Sequence, residues 1–415
     1  MLGQDKGVPE LAEFYSESSY WELPIKKNPI NDSRNLVRFN ALVSFVGRGY
    51  YFVHTVIFCF LSTTASILFL HGIKLFVKIL TNRLIVLLFF VPSVLFWTSG
   101  VMKEAVMIFG LGMFLFGLLH FVKKQFNWKT ILSFILGLLV MSMFKPYVLY
   151  TLVLPFIAFV ICLIKPSFSK IKVYGTSVFV LFLVFLLWNK PVDVLTFKQK
   201  DFINISKGEI ILEGDSSYIY IDEKYRDLIV FGNNSATFKE NIPAIERIYY
   251  QKEKNVRILN PEVKDLEITW CAKQSGSYFE MTEIEGDKWT MFKNLPFAIN
   301  NVIFRPFPWD ENMDIYKVLA IIENVFAFLF ILWAWRSRVR YQERAIKNII
   351  SFMLFWVTLL YALIGQVTPV SGAIMRYKVP GLFLLAGVVV LLLFGYDKKH
   401  ELQKLKDAKS NEQNV

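Results

Sequence analysis

The sequence predicts an all-α polytopic integral membrane protein of about nine transmembrane helices with one external α+β domain. The first observation behind this prediction is composition: the chain of 415 residues is 54% hydrophobic and 16% aromatic, far more apolar than a soluble domain. The second is distribution, because the apolar residues are collected into uncharged runs that are long enough to cross a bilayer as helices.

The candidate spans, taken as runs of roughly 15 to 22 apolar residues, number about nine. They lie near residues 50–71, 84–98, 105–122, 130–144, 148–164, 174–189, 315–334, 349–367 and 380–396. This pattern divides the chain into an external segment 1–49, a six-helix membrane region 50–189, an external domain 190–314, a three-helix membrane region 315–396 and a basic tail 397–415.

The basic connections predict how these helices are oriented. The segments after the first, third, fifth and seventh candidate spans are rich in Lys and Arg, as is the C-terminal tail. They fall on one side, which the positive-inside rule assigns to the cytoplasm. We therefore predict a multi-pass protein of the bacterial inner membrane with a cytoplasmic C-terminus. Because the N-terminal segment is then external, we expect a transmembrane helix upstream of Met1, with translocation by a less common route as the alternative.

Charge, cysteine and histidine content exclude several classes of function. The basic loops act as topology signals, so the net charge of +12 predicts no nucleic-acid partner. Cys59, Cys162 and Cys271 form no readable disulfide framework, and the four histidines lack metal-ligand spacing. Neither a Gly-rich phosphate loop nor a catalytic triad is recognisable. A redox or zinc enzyme is therefore disfavoured.

The region from about 190 to 314 is the one sizeable extramembrane unit predicted. Its stretch GEIILEGDSSYIYIDEKYRDLIVF alternates polar and apolar residues, which predicts strands. Acidic and basic residues are mixed along it. The region is therefore expected to be a solvated domain or a cap over a site at the membrane.

Ionisable residues recur on the predicted external side, where the loops between spans are short. Charges at the ends of apolar helices are costly unless they snorkel, pair or bind a ligand. Several cations with a few carboxylates suit a lipid-linked phosphate and an acid–base step. The residues gathered there from distant parts of the sequence are Asp5, Arg34, Arg38, Lys103, Glu104, Lys145, Arg305, Arg376 and Lys378.

Structural interpretations of the same residues stay open at this point. Glu104, next to Lys103, suits the positive end of the helix that follows it, and Lys145 can snorkel from a helix end. Arg376 and Lys378 are also typical of interfacial anchors, and Arg305 lies in a proline-rich turn.

Two stretches of the sequence carry a family resemblance. FFVPSVLFWTSGVMKEAVMIFGLGMFLFGL joins a Pro-containing helix, a small external turn with a basic then an acidic residue, and a second apolar helix. MSMFKPYVLYTLVLPFIAFVICL has a Lys-Pro turn followed by an LVLP helix. Both resemble the GT-C superfamily of glycosyltransferases, which includes the protein O-mannosyltransferases and the lipid A aminoarabinose transferase. The second departs from that family's Lys-Gly-Pro turn, because Pro146 directly follows Lys145.

The resemblance implies transfer of a sugar from a polyprenyl-phosphate donor to a glycan, lipid or protein acceptor in the outer leaflet. In that family a carboxylate of the first external loop acts as the base, typically in an Asp-Glu pair followed by a tyrosine. The segment GQDKGVPELAEFY offers Asp5 and, further on, Tyr15. Lys6 stands in place of the second acid, so Glu10 and Glu13 remain competitors.

The mechanism that the resemblance implies is an inverting displacement at the anomeric carbon. Asp5 is expected to accept the acceptor's proton, and Glu104 to orient Lys103 or contact a sugar hydroxyl. Cations are expected to offset charge on the departing polyprenyl phosphate. No nucleotide cofactor is expected, and a divalent cation held by carboxylates and phosphate oxygens stays open. The phosphate-binding residues predicted in this way are Lys103, Lys145, Arg305, Arg376 and Lys378.

Other classes of function remain as alternatives. An O-antigen or capsule repeat-unit polymerase would also have many helices, a large external loop and a lipid-diphosphate substrate, and would act through Arg34, Arg38, Arg305 and Arg376. A lipid or polysaccharide transporter is expected to carry charges near mid-membrane and repeated halves, and the candidate spans have neither. A purely structural assembly subunit gives no reason for the external cations.

Overall fold

A computed structural model of the chain contains mostly helix, together with one antiparallel sheet. The structure describes residues 32–77, 86, 88–207, 210–213, 217–220, 227–231, 235–242, 246–250, 255–258, 263–271, 275–284, 286–310, 313–337 and 344–393.

Helices that could cross a membrane dominate the described residues. Six helices are long and apolar enough, namely α2, α4, α6, α7, α10 and α11 as defined below, and α12 with α13 forms a seventh candidate that is bent by 49°. The chain is therefore a multi-pass, mostly helical membrane protein. The helices are α1 (Asp32–Gly47), α2 (Tyr51–Lys74), α3 (Pro92–Thr98), α4 (Lys103–Val122), α5 (Trp128–Phe144), α6 (Pro146–Ile164), α7 (Lys170–Leu187), α8 (Lys190–Lys207), α9 (Lys288–Phe304), α10 (Ile315–Ser337), α11 (Arg344–Val367), α12 (Ser371–Tyr377) and α13 (Val379–Leu393).

The predicted count of about nine spans exceeds the six or seven that meet the length and hydropathy of a full crossing. The two predicted spans that make the difference are 84–98 and 130–144. In the first, the structure describes the seven-residue helix α3, and the second corresponds to α5, which has 17 residues. The higher count therefore stays a prediction.

Glycines allow α4 to pack closely against α2 and α5. A Cβ atom on Gly112 of α4 would lie 2.6 Å from the Cα of Ala65 in α2. A Cβ atom on Gly137 of α5 would lie 2.5 Å from the backbone nitrogen of Phe114 in α4. Small residues drive helix association in lipid, because they let backbones approach closely enough for extensive van der Waals contact. This packing fixes the first turn of α4 relative to the last turn of α5.

Local sequence sets the start of α5 and the start of α6. Asn127 caps α5, since its side chain accepts a hydrogen bond from the Thr130 backbone at 2.9 Å while the Thr130 hydroxyl accepts one from the Asn127 backbone at 3.1 Å. Pro146 takes the first position of α6, where a backbone N–H is not needed. Lys145 is therefore the single residue between the two helices.

The sheet belongs to a separate compact unit, whose described residues lie within Asp193–Asp287 and Val367–Ser371. It has seven strands in the order β3-β4-β7-β1-β2-β5-β6, and the neighbouring strands are antiparallel. Within this unit the buried side chain of Gln199 in α8 donates a hydrogen bond to the Thr282 carbonyl and accepts one from the Ile284 backbone. The strands are β1 (Ile210–Glu213), β2 (Ser217–Tyr220), β3 (Ile229–Phe231), β4 (Ser235–Ile242), β5 (Glu246–Tyr250), β6 (Asn255–Ile258) and β7 (Val263–Cys271).

Candidate functional site

Glu104 is the centre of a buried ion-pair cluster that three distant parts of the chain form together. Its Oε1 atom lies 3.0 Å from Nζ of Lys145 and 3.1 Å from Nε of Arg376. The side chains of Glu104 and Lys145 are 3% and 4% exposed, whereas that of Arg376 is 37% exposed. One carboxylate thus faces two cations, and the excess positive charge reaches the surface through Arg376.

The start of α4 supplies the carboxylate. Glu104 is the second residue of that helix, where unpaired backbone N–H groups and the helix dipole favour a negative charge. Lys103, the first residue, is half-buried and adds a further positive charge close to Lys145. The adjacent cation and anion therefore have different tasks: Glu104 pairs inside the protein, and Lys103 adds to the positive potential.

Two tyrosines enclose the ammonium group of Lys145. Its Nζ lies 5.5 Å from the ring centre of Tyr147 and 4.5 Å from that of Tyr377. The Tyr147 hydroxyl donates a hydrogen bond to the Tyr377 carbonyl at 3.5 Å, which ties the start of α6 to the end of α12. Aromatic faces attract a cation without adding a formal charge. The two rings therefore hold the ammonium in position without neutralising the net positive charge of the cluster.

Arg376 forms the accessible side of the cluster. The guanidinium carbon lies 5.2 Å from the ring centre of Tyr377, and Nη2 donates a hydrogen bond to the Tyr377 hydroxyl at 3.5 Å. A guanidinium group presents its N–H donors in a planar fork that matches the oxygens of a phosphate. Arg376 is thus the group of the cluster that an anion would meet first.

Burial is the main influence on the pKa of Lys145. Burial lowers the pKa of its ammonium group, and the charges of Arg376 and Lys103 act in the same direction. The Glu104 carboxylate opposes this shift through the ion pair. A bound phosphate would add negative charge to the cluster and so stabilise the protonated form of Lys145.

Helix α1 contacts the end of α5 close to Lys145. The buried side chain of Asn35 donates a hydrogen bond to the Met143 carbonyl at 2.8 Å, two residues before Lys145. Asn35 in turn accepts a hydrogen bond from Nη1 of Arg38 at 3.2 Å. The exposed side chain of Arg38 therefore lies next to Asn35, the residue of α1 that contacts the end of α5.

Lys378 and Arg305 belong to a second polar network, centred on Asn324 of α10. Lys378 is 1% exposed and its ammonium donates a hydrogen bond to Oδ1 of Asn324. The Asn324 amide donates to the Arg305 carbonyl at 3.0 Å. Nη2 of Arg305 lies 3.6 Å from Oδ1 of Asp310, and burial lowers the pKa of Arg305 while the Asp310 charge opposes this. This network joins α9, α10 and the bend between α12 and α13.

The structure thus brings Glu104, Lys145 and Arg376 into direct contact, and it joins Arg305 and Lys378 through Asn324. Several other predicted residues cannot be placed beside either group. Asp5, its competitors Glu10 and Glu13, and Tyr15 lie outside the described residues, and Arg34 lies in α1 with a side chain that is not described.

Sequence reasoning missed the two tyrosines and Asn35. Tyr147 and Tyr377 stand within two residues of a predicted cation in the segments FKPY and MRYK. An aromatic residue beside a cation at a helix end was therefore the signal that could have found them. Asn35 carries no such signal, because its contact with Met143 depends on how α1 packs.

The described part of the chain offers no set of side chains suited to hold a metal ion. No group of three or more His, Cys, Asp and Glu side chains is arranged there to hold a metal ion. In the Glu104 cluster, the carboxylate oxygen Oε1 already faces Lys145 and Arg376.

Comparisons with protein-family models, with curated proteins and with solved structures found no match to this chain.

Proposed function

We propose that the protein is a membrane glycosyltransferase that moves a sugar from a polyprenyl-phosphate donor to a glycan, lipid or protein acceptor at the external face of the bacterial inner membrane. The observation that carries the proposal is the buried Glu104 carboxylate, whose Oε1 contacts both Lys145 and Arg376. Ionisable groups buried among membrane helices, such as Glu104 and Lys145, are candidates for a functional site, because their desolvation is costly. An excess of cations with one accessible guanidinium suits a phosphate.

The topology that accompanies this proposal has about nine membrane helices, an external α+β domain at 190–314 and a cytoplasmic basic tail. The contacts of Glu104 support it, since they require the starts of α4 and α6 and the short helix α12 to share one membrane surface. The basic segments KKQFNWK and KPSFSKIK follow the opposite ends of α4 and α6. The cluster therefore falls on the side away from the basic loops.

The family resemblance agrees with the position of the cluster. The stretches that resemble GT-C enzymes contain the Lys-Glu and Lys-Pro turns, and these turns supply Glu104 and Lys145. The resemblance and the ion pair therefore point to the same two segments of the chain.

The cluster acts on the leaving group in the proposed reaction. An acceptor oxygen forms a bond to the anomeric carbon while the bond from that carbon to the phosphate oxygen breaks, and the electron pair stays on the phosphate. Arg376 and Lys145 stabilise that developing charge from fixed positions. Glu104 is a positioning residue, because its Oε1 holds both cations. The proton of the acceptor hydroxyl goes to a carboxylate, for which Asp5 remains the prediction.

The test is the glycan profile of a deletion strain complemented with the wild-type protein, Lys145→Met or Lys129→Met. Lys129 is the matched control because it is an exposed lysine near the start of α5, at the end of that helix remote from Lys145. Gel and mass profiles of lipid-linked and surface glycans are compared at equal protein levels in the membrane. We expect the deletion to remove one sugar residue, which the wild type and Lys129→Met restore and Lys145→Met does not. Asp5→Ala, tested in parallel, is expected to behave like Lys145→Met.

Other profiles would overturn the proposal in distinct ways. Single repeat units that accumulate in place of a ladder would indicate a polymerase. Unchanged glycans in the deletion strain would exclude both the transferase and the polymerase in that strain's envelope. Full restoration by Lys145→Met would show that the Glu104 cluster is not part of the active site.

A further inference from the structure

We infer that a basic pocket, formed by the end of α6 and the starts of α7 and α11, binds the phosphate of an anionic phospholipid headgroup. This headgroup pocket comprises Cys162, Lys170, Tyr174, Arg344 and Lys347. It is separate from the Glu104 cluster and does not depend on the proposed glycosyl transfer.

Two buried hydrogen-bond donors in the headgroup pocket lack an acceptor. Lys170 and Tyr174 stand four residues apart on α7 and therefore share one face of the helix. The ammonium nitrogen of Lys170 and the hydroxyl of Tyr174 are enclosed by protein, and neither has a hydrogen-bond partner among the described residues. Buried polar groups without partners cost free energy. Both groups donate hydrogen bonds, so the ligand that would satisfy them is an acceptor.

The charges around Lys170 call for an anion. The groups that act electrostatically on it are the thiol of Cys162 and the cations Lys347 and Arg344, and no carboxylate of the described chain is among them. Arg344 also acts on Cys162, so the end of α6 and the starts of α7 and α11 meet at one place. A phosphate oxygen would accept from Lys170 and Tyr174 and would offset the repulsion between the cations.

Helix α11 contributes a buried hydrogen-bond acceptor, which requires a donor from the ligand. The ring of Tyr174 packs against Phe355 of α11 at a centroid distance of 5.3 Å. Asn348 lies two turns nearer the start of α11 on the same face, is 3% exposed, and its Oδ1 has no hydrogen-bond partner in the described part of the protein. An acceptor such as Oδ1 needs a donor. The glycerol of phosphatidylglycerol supplies hydroxyl donors beside its phosphate, so this headgroup can satisfy Oδ1 of Asn348 together with Lys170 and Tyr174.

The position of the headgroup pocket along the helices also favours a lipid. Lys170 and Arg344 are the first residues of α7 and α11, which are both candidate membrane spans. Basic pockets between transmembrane helices at the level of the headgroups are sites for anionic lipids. The pocket lies at the far end of the 19-residue helix α6 from Lys145, a distance of roughly 28 Å along that helix. It therefore faces the opposite membrane surface from the Glu104 cluster.

The test measures how many lipids stay bound when the full-length protein is released from mixed micelles containing phosphatidylglycerol or phosphatidylcholine, by native mass spectrometry. We expect the wild type to retain phosphatidylglycerol preferentially and Lys170→Met to bind it about tenfold more weakly. Lys172→Met is the matched control, because Lys172 is an exposed lysine on the same helix. It is expected to retain phosphatidylglycerol as the wild type does.

A second variant keeps the test decisive if Lys170→Met does not fold. Tyr174→Phe removes one hydroxyl and keeps the ring that packs on Phe355, so a weaker retention of phosphatidylglycerol is expected with an intact fold. Wild-type retention in both Lys170→Met and Tyr174→Phe would overturn the headgroup pocket. Complete displacement of the lipid by inorganic phosphate would overturn the lipid as the ligand and identify a site for the free anion.

Discussion

The Glu104 carboxylate lies 3.0 Å from the Lys145 ammonium, although most of α4 and all of α5 separate the two residues in the chain. The contact exists because the closely packed α4 and α5 run in opposite directions, which returns the end of α5 to the start of α4. Both side chains are almost fully buried, so water does little to screen their charges. The ion pair therefore links the fold of this hairpin to the charge of the candidate site.

Glu104→Gln should destabilise the protein more than an ordinary surface substitution. The change leaves the ammonium of Lys145 buried next to Arg376 without a neutralising carboxylate. Removing one partner of a buried pair costs on the order of 3 kcal/mol, because the remaining charge stays desolvated. The free energy of unfolding in detergent micelles, measured by denaturant titration, is expected to fall by that amount.

Lys145→Met in the Glu104→Gln background provides the internal control for that loss. The second change removes the uncompensated charge, so the double variant should be more stable than the sum of the two single losses predicts. Strictly additive losses would mean that Glu104 and Lys145 are not energetically coupled, and would contradict the role given to the ion pair.

Arg376→Lys should separate ligand binding from stability. The substitution keeps the charge and loses both the planar fork and the Nε contact with Glu104. Because the Arg376 side chain is 37% exposed, we expect little change in the free energy of unfolding. Affinity for a short-chain prenyl phosphate, measured by calorimetry, should fall about tenfold. Arg336→Lys is the control, since Arg336 is an exposed arginine in the last turn of α10, and equal affinities of the two variants would contradict the prediction.

The sequence predicted the long helices better than the short ones, for a physical reason. A helix surrounded by lipid must be apolar on all sides, so α2, α4 and α6 stand out as uninterrupted runs. Helices α1 and α8 mix polar and apolar residues and lie in regions that were predicted as extramembrane. Their helical state depends on tertiary packing, such as the hydrogen bond between Asn35 and Met143.

The charged residues of the Glu104 cluster stood out in the sequence, but their contacts with one another and with the two tyrosines did not. Scarcity of charge in short loops singled out Lys145, Arg376 and Lys378, because each breaks an apolar pattern. It did not reveal which of these meet Glu104. Residues two apart in a helical turn do not face each other, so Arg376 contacts Glu104 while Lys378 donates to Asn324. Only the packing of α12 against its neighbours decides this.

The pH dependence of anion binding should report the protonation state of Lys145. Burial lowers the pKa of this ammonium, despite the opposing charge of Glu104, so it loses its proton at a lower pH than an ordinary lysine. Affinity for a prenyl phosphate should therefore fall as the pH rises through that lowered pKa. The sign for stability is opposite: between the folded and unfolded pKa values the unfolded chain binds more protons, so the contribution of Lys145 to stability rises with pH.

Lys145→Arg isolates this effect, because arginine stays charged across the range. Calorimetric titrations of wild type and variant at a series of alkaline pH values should show the loss of affinity in the wild type alone. The same alkaline loss in Lys145→Arg would assign it to a different group.

Gly137→Ala tests whether the close approach of α4 and α5 sets the geometry of the Glu104 cluster. The added Cβ would lie 2.5 Å from the backbone nitrogen of Phe114, and backbone cannot move aside as a flexible side chain can. We expect a loss of about 1–3 kcal/mol in the free energy of unfolding, with weaker binding of prenyl phosphate because the start of α4 shifts relative to Lys145.

Gly175→Ala on α7 is the matched control: a Cβ there meets no atom within 4 Å, so the higher helix propensity of alanine should leave stability unchanged or raise it by up to about 1 kcal/mol. Equal stability of the two variants would show that the helices tolerate separation, and the ion pair would then have to hold the hairpin without help from the glycine contacts.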